Sequence, residues 1–202
     1  MYIIRPCDDG HRHTEHLGSV FAALGEQLAA AGETVHLVVI GGSGLLAIDA
    51  ITRSTRDVDI LALERDGELV SAYPLPPPLV AAAALVARDL DLRPDWLNPG
   101  PTSLLDLGLP AGLAERLITH HYGPGLRVSF ASRIDQIFFK LYAAADRHEP
   151  RDFADLRRLA PTPGELRAGA RWARTHNMPG PFDDALAQAL AELGAEDDGR
   201  DV

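Results

Sequence analysis

The chain has 202 residues, with 19 Lys and Arg against 29 Asp and Glu, a formal net charge of −10. At 46% hydrophobic and 24% charged it has the composition of a folded globular protein with room for one sizeable core, and its acidity argues against coating nucleic acid by bulk charge. Its longest apolar run, residues 79–87, falls well short of the roughly 20 residues that span a bilayer, and its single cysteine, Cys7, excludes an internal disulfide and a thiolate-held cofactor. Residues 1–10 carry Arg5, Asp8 and Asp9 and lack the apolar stretch and cleavage site of a secretory signal, so a cytoplasmic location is expected.

Residues 15–31 place Leu17, Val20, Phe21, Leu24, Leu28 and Ala31 at helical spacing, and Gly32 stops the helix. Residues 35–40 are β-branched and end in Gly41-Gly42. Residues 57–63 alternate acid with Val and Ile, so both segments predict strands, with a short helix over 43–51 between them. The run YPLPPP at 73–78 is a stiff connector and a candidate lobe boundary. A helix is expected over 79–91, an irregular stretch over 94–110 with Trp96 filling the core, and helical period again over 111–121. A third strand follows at 126–131, then helices at 134–145, 152–159, 165–175 and 182–193, separated by Pro and Gly. The fold class is α/β in the α+β sense: a small mixed sheet with flanking helices over 1–131 and a helical part over 132–202.

The densest signal is GGSGLLAIDAITRSTRDVDIL, residues 41–61. Gly41, Gly42 and Gly44 let a turn bring backbone N–H groups to an anion at the start of the next helix, although the same glycines also serve turns for conformation alone. On a strand, Asp57 and Asp59 project from one face. Such a pair repels unless a cation sits between the carboxylates, and hard oxygens suit Mg²⁺ or Mn²⁺; a solvent-facing edge strand is the structural alternative. Joined by one short helix, the glycine turn and the acids would share a pocket.

This combination resembles the polymerase-β-like nucleotidyltransferases, with a Gly-Ser turn followed by Asp-x-Asp, and in particular the AbiEii-type nucleotidyltransferase toxins. The stretch LRVSFASRIDQIFFKLYAAADRHEPRDFADL, residues 126–156, is similar to the family's later strand, its lysine-bearing helix and its Arg-Asp-x-x-Asp-Leu motif, placing Lys140, Asp152 and Asp155 at the corresponding positions. The resemblance implies transfer of a nucleoside monophosphate from an NTP with magnesium as cofactor. It also implies a tRNA 3′ end as acceptor and a cognate antitoxin protein as partner. Asp57, Asp59 and Lys140 would be catalytic, the two former holding the metal.

Lys140 is the only lysine among the 19 basic residues and has apolar neighbours, so its amine is expected at a partly buried site against a triphosphate oxygen or the leaving pyrophosphate; a snorkelling surface lysine is the alternative. Gly41, Gly42 and Ser43 are expected to hold phosphate. Thr55, with Arg53 and Arg56, flanks the acids. Arg147 and Arg151 are candidate phosphate clamps within a stretch, 147–176, that carries 7 Arg against 4 acids. Asp152 and Asp155 share a helix face and either orient Lys140 or complete the metal site. The strand 126–131 carries no acid, which leaves room for a small-molecule or protein nucleotidyltransferase, or an inactive nucleotide-binding module, beside the toxin reading. His11, His13 and His16 have a metal-like spacing with no supporting acid or cysteine.

Overall fold

The computed structural model describes residues 9–176 and 180–196; Cys7, the side chain of His11 and residues 197–202 lie outside them. A six-stranded mixed sheet runs in the order β3-β2-β1-β6-β5, with β4 paired to the start of β2. Its strands are β1 (Val35–Ile40), β2 (Val58–Arg65), β3 (Glu68–Val70), β4 (Leu97–Asn98), β5 (Ile118–His121) and β6 (Leu126–Phe130). The centre is β1, whose last four residues are all apolar and buried, parallel to β6 and antiparallel to β2.

Helix α1 (Asp9–Ala30) lays Leu17, Val20, Phe21, Leu24 and Leu28 along one buried face, the i, i+3, i+4, i+7 stripe expected of it, and packs on β6 and α3 (Pro77–Asp89). Helix α2 (Gly41–Ala47) follows β1 without a loop and starts two residues earlier than the sequence suggests. The prolines of 73–78 are partly a helix start: Pro76 caps α3 and Pro77 opens it, where a fixed φ and a missing N–H cost nothing. Trp96 is buried and donates from Nε1 to the Ala83 carbonyl at 3.1 Å. The stretch 94–110 is less irregular than expected, holding β4, a 3₁₀ turn over Gly100–Ser103 and α4 (Leu104–Leu107).

Residues 111–121 depart most from the sequence reading. They form a single turn, α5 (Leu113–Arg116), and then the edge strand β5. The β-branched pair Ile118-Thr119 sits poorly in a helix, and β6 offers a free edge, pairing Ile118 with Phe130 and Thr119 with Ser129.

The C-terminal helices are α6 (Arg133–Arg147), α7 (Pro150–Leu159), α8 (Pro163–Arg174) and α9 (Pro181–Glu192). The last three surround α6, whose Phe138, Phe139 and Tyr142 rings lie 6.1, 5.5 and 6.0 Å from that of Trp172 on α8. The start of α6 is pinned by Asp135, which is fully buried and accepts from Arg116 at 2.5 Å and Ser132 at 2.5 Å. Among the described residues no helix is long and apolar enough to cross a membrane.

Candidate active site

A bulge after Val38 shifts the register of β1 against β2, so that Ile40 lies opposite Asp59, and Asp59 is in turn opposite Asn98 of β4. This row ends where the chain turns into α2. Gly41 there has φ +68°, and a Cβ on it would fall 2.1 Å from Asp59 Oδ2, so only glycine both adopts the turn and leaves room for the carboxylate. Asn98 Nδ2 donates to Asp59 Oδ1 at 2.8 Å and fixes the carboxylate's orientation. Burial pushes the Asp59 pKa above its ordinary value; the Asn98 bond opposes this, the Asp57 charge adds to it, and Lys140 and Arg147 pull it back.

Asp59, Gly41 and Asn98 form one wall of a cavity of about 370 Å³, and α6 supplies the other through Gln136, Phe139, Lys140 and Arg147. Those four lie on one helix face, spaced by three, four and seven residues. Lys140 is buried, with Nζ 2.8 Å from Asp152 Oδ1 and 2.8 Å from Asp155 Oδ2. The two acids are held from outside: Arg147 reaches Asp152 at 3.0 Å, and Arg53 grips both oxygens of Asp155 at 2.9 and 2.7 Å. A continuous chain Arg53–Asp155–Lys140–Asp152–Arg147 thus ties the segment before the Asp-x-Asp to α6 and α7.

The cavity therefore gathers Gly41, Asp59, Lys140 and Arg147 of the residues picked from sequence. Asp152 and Asp155 stand behind Lys140 as its buried partners and do not line the cavity. Asp57 precedes β2 by one residue. It lines, with Thr55, Leu46 and Trp96, a separate apolar recess of about 70 Å³, and Thr55 Oγ1 donates to the Asp57 carbonyl at 3.0 Å. Gly42 and Ser43 are buried in the first turn of α2, and the Ser43 hydroxyl has no hydrogen-bond partner. Among the described residues no three His, Cys, Asp or Glu side chains group as a metal-holding cluster, His13 and His16 included.

Sequence reasoning missed Asn98 and Gln136. Asn98 sits in the stretch read as irregular, and its pairing with β2 crosses thirty-nine residues. Gln136 carried a usable signal, a polar residue one turn ahead of Lys140 with only the apolar Ile137, Phe138 and Phe139 between them. A second polar chain, Glu64–His36–Ser129–Thr119, has the acid, histidine, hydroxyl order of a nucleophilic triad: Glu64 meets His36 Nδ1, and His36 Nε2 lies 2.7 Å from Ser129 Oγ. Ser129 is fully buried in mid-strand and lines none of the cavities described, so this chain ties four strands together and offers no nucleophile.

No curated protein and no solved structure matches the chain. Residues 15–160, which contain every residue of the cavity and of the ion-pair chain behind it, match the family described as nucleotidyltransferase of unknown function (DUF6036). With nearly three quarters of its length covered, from α1 through α7, the chain belongs to that nucleotidyltransferase family.

Proposed function

We propose that the chain transfers a nucleoside monophosphate from an NTP to an acceptor hydroxyl, with release of pyrophosphate, in the cavity between Asp59 and Lys140. The observation that carries this reading is the facing pair itself: a half-buried carboxylate of raised pKa, under a glycine that admits nothing larger, opposite the chain's only lysine. The donor set fits Mg²⁺ or Mn²⁺, since such ions take one or two carboxylates and complete their shell with phosphate oxygens and water; Asp59 is the one that lines the cavity, and Asp57, in the neighbouring recess, is near enough for its charge to act on Asp59. When bound, the ion polarises the phosphates and offsets their charge.

The remaining work falls to the chain. Lys140 Nζ has three hydrogens; two are spent on Asp152 and Asp155, and the third faces the cavity, where it stabilises charge growing on the leaving pyrophosphate. Arg147 adds a second cation to the same wall. Asn98 keeps Asp59 in one orientation, and Gly41, which lines the cavity, lets the phosphates approach the start of α2. The acceptor oxygen bonds to the α-phosphorus as the bond to the pyrophosphate oxygen breaks, and the acceptor's proton leaves to water.

The likeness to AbiEii-type toxins favours a tRNA 3′ end as acceptor and an antitoxin as partner. The net charge of −10 favours a protein or small-molecule acceptor. Incubating the protein with each α-labelled NTP, Mg²⁺ and either total RNA or total protein separates these outcomes. Asp57→Asn with Asp59→Asn is expected to abolish all labelling while leaving the circular dichroism spectrum unchanged. Persistent labelling in that variant overturns the role given to the acids. An inactive module would show nucleotide binding by calorimetry that is indifferent to Mg²⁺.

A further inference from the structure

The amide of Gln136 is fully buried, and neither Nε2 nor Oε1 meets a hydrogen-bonding atom. The Ser43 hydroxyl of α2, equally buried, is also unpartnered. Gly44 is what lets the amide in, because a Cβ there would lie 2.4 Å from Nε2. The amide is thereby pressed against the opening turns of α2 in the cavity wall, one helical turn before Lys140. An unpaired buried amide is costly to desolvate, and a methionine would fill the same volume without that cost. An unmet donor kept in a cavity wall points to a partner that arrives with the ligand.

We propose that Gln136 is a further binding residue of this site, its Nε2–H donating to an oxygen of the metal-bound polyphosphate and its Oε1 accepting from a water of the hydrated cation. The inference rests on the nucleotidyltransferase reading above. A polyphosphate is favoured over a nucleobase edge because the charged groups that share the cavity wall with Gln136, the Lys140 ammonium and the Arg147 guanidinium, are themselves donors, and a phosphate chain presents acceptors to all three.

Two measurements test it. The first compares wild type and Gln136→Met by calorimetry, with magnesium pyrophosphate, an NTP and the matching NMP as ligands. Gln136→Met is expected to melt about 2–4 °C higher than wild type, since an unmet polar group is gone. It is expected to bind pyrophosphate and the NTP about tenfold more weakly or worse, and the NMP within about twofold of wild type. The second uses wild type alone, labelled with ¹⁵N-glutamine: the Gln136 side-chain amide pair should shift when magnesium pyrophosphate is added, while those of Gln27 and Gln188, the only other glutamines, stay in place. Unchanged pyrophosphate affinity in the variant, equal loss of all three ligands, a lowered melting temperature, or a Gln136 amide pair that stays still at saturation each overturns the proposal. Failure of wild type to bind either NTP or pyrophosphate is a different result, which removes the nucleotidyltransferase reading on which the proposal stands.

Discussion

Lys140 shows why one lysine is kept in a chain whose other cations are all arginines. An ammonium can serve two carboxylates at 2.8 Å and still direct a third N–H elsewhere, whereas a planar guanidinium commits its donors in one plane. Lys140→Arg is therefore expected to fold with a melting temperature near that of wild type and to lose nucleotide transfer by at least about tenfold. Lys140→Met leaves Asp152 and Asp155 buried with the outer arginines alone, a change expected to destabilise by about 3–5 kcal/mol in urea unfolding. These residues were legible in the sequence because their chemistry is local: a unique lysine, and two acids three apart on one helix. Asn98 was not, because its role depends on a two-residue strand whose partner lies far away in the chain, and no local pattern encodes that pairing.

At the scale of elements, the starts of α3, α7, α8 and α9 were legible to within one or two residues, since proline acts on the backbone directly, and the prolines read as separators belong to the first turns of the helices themselves. Pro77, Pro150, Pro163 and Pro181 each stand at the first turn of a helix. The start of α8 adds a capping box, in which the Thr162 side chain accepts from the Glu165 N–H at 3.2 Å and Glu165 accepts from the Thr162 N–H at 2.7 Å. Arg133, beside Glu165 at 2.6 Å, joins this cap to the first turn of α6 and holds the Glu165 pKa down at about 2. Thr162→Ala is expected to cost about 1 kcal/mol in chemical unfolding. No change at all would show that Arg133 alone secures the junction. Strand β5 was misread for the opposite reason. Its residues carry an ambiguous pattern, and what decides them is the unpaired edge of β6, a tertiary fact.

For the molecule as a whole, the charge count misled where pairing decides. The arginines of 147–176 read as a cationic patch, yet Arg147, Arg157 and Arg174 are engaged with Asp152, Glu192 and Asp183. The pH response of the fold follows instead from buried histidines. Burial lowers the pKa of both His36 and His176, so below about pH 6.5 the unfolded chain takes up protons that the folded chain refuses. Stability is expected to fall as the pH drops from that value and to level off below the lowered folded values, with a slope of at most about 1.4 kcal/mol per pH unit for each histidine. Glu64 and Glu165, whose pKa values are depressed, add a further loss only below about 4.5. Urea titrations at stepped pH check this: His36→Gln with His176→Gln should flatten the upper part of the curve, and a slope equal to that of wild type would assign the acid response elsewhere.

Helix α6 has one flank turned to the cavity and another clamped by α8 and α9, both of which lie outside the residues that match the family. Gly169 sits so close that a Cβ on it would touch Phe138 at 3.2 Å and Leu141 at 3.3 Å. The tail is thus the fulcrum for a rigid bar. A bulkier side chain at its contact would swing Gln136, Lys140 and Arg147 together and retune the width of the cleft without altering any group inside it.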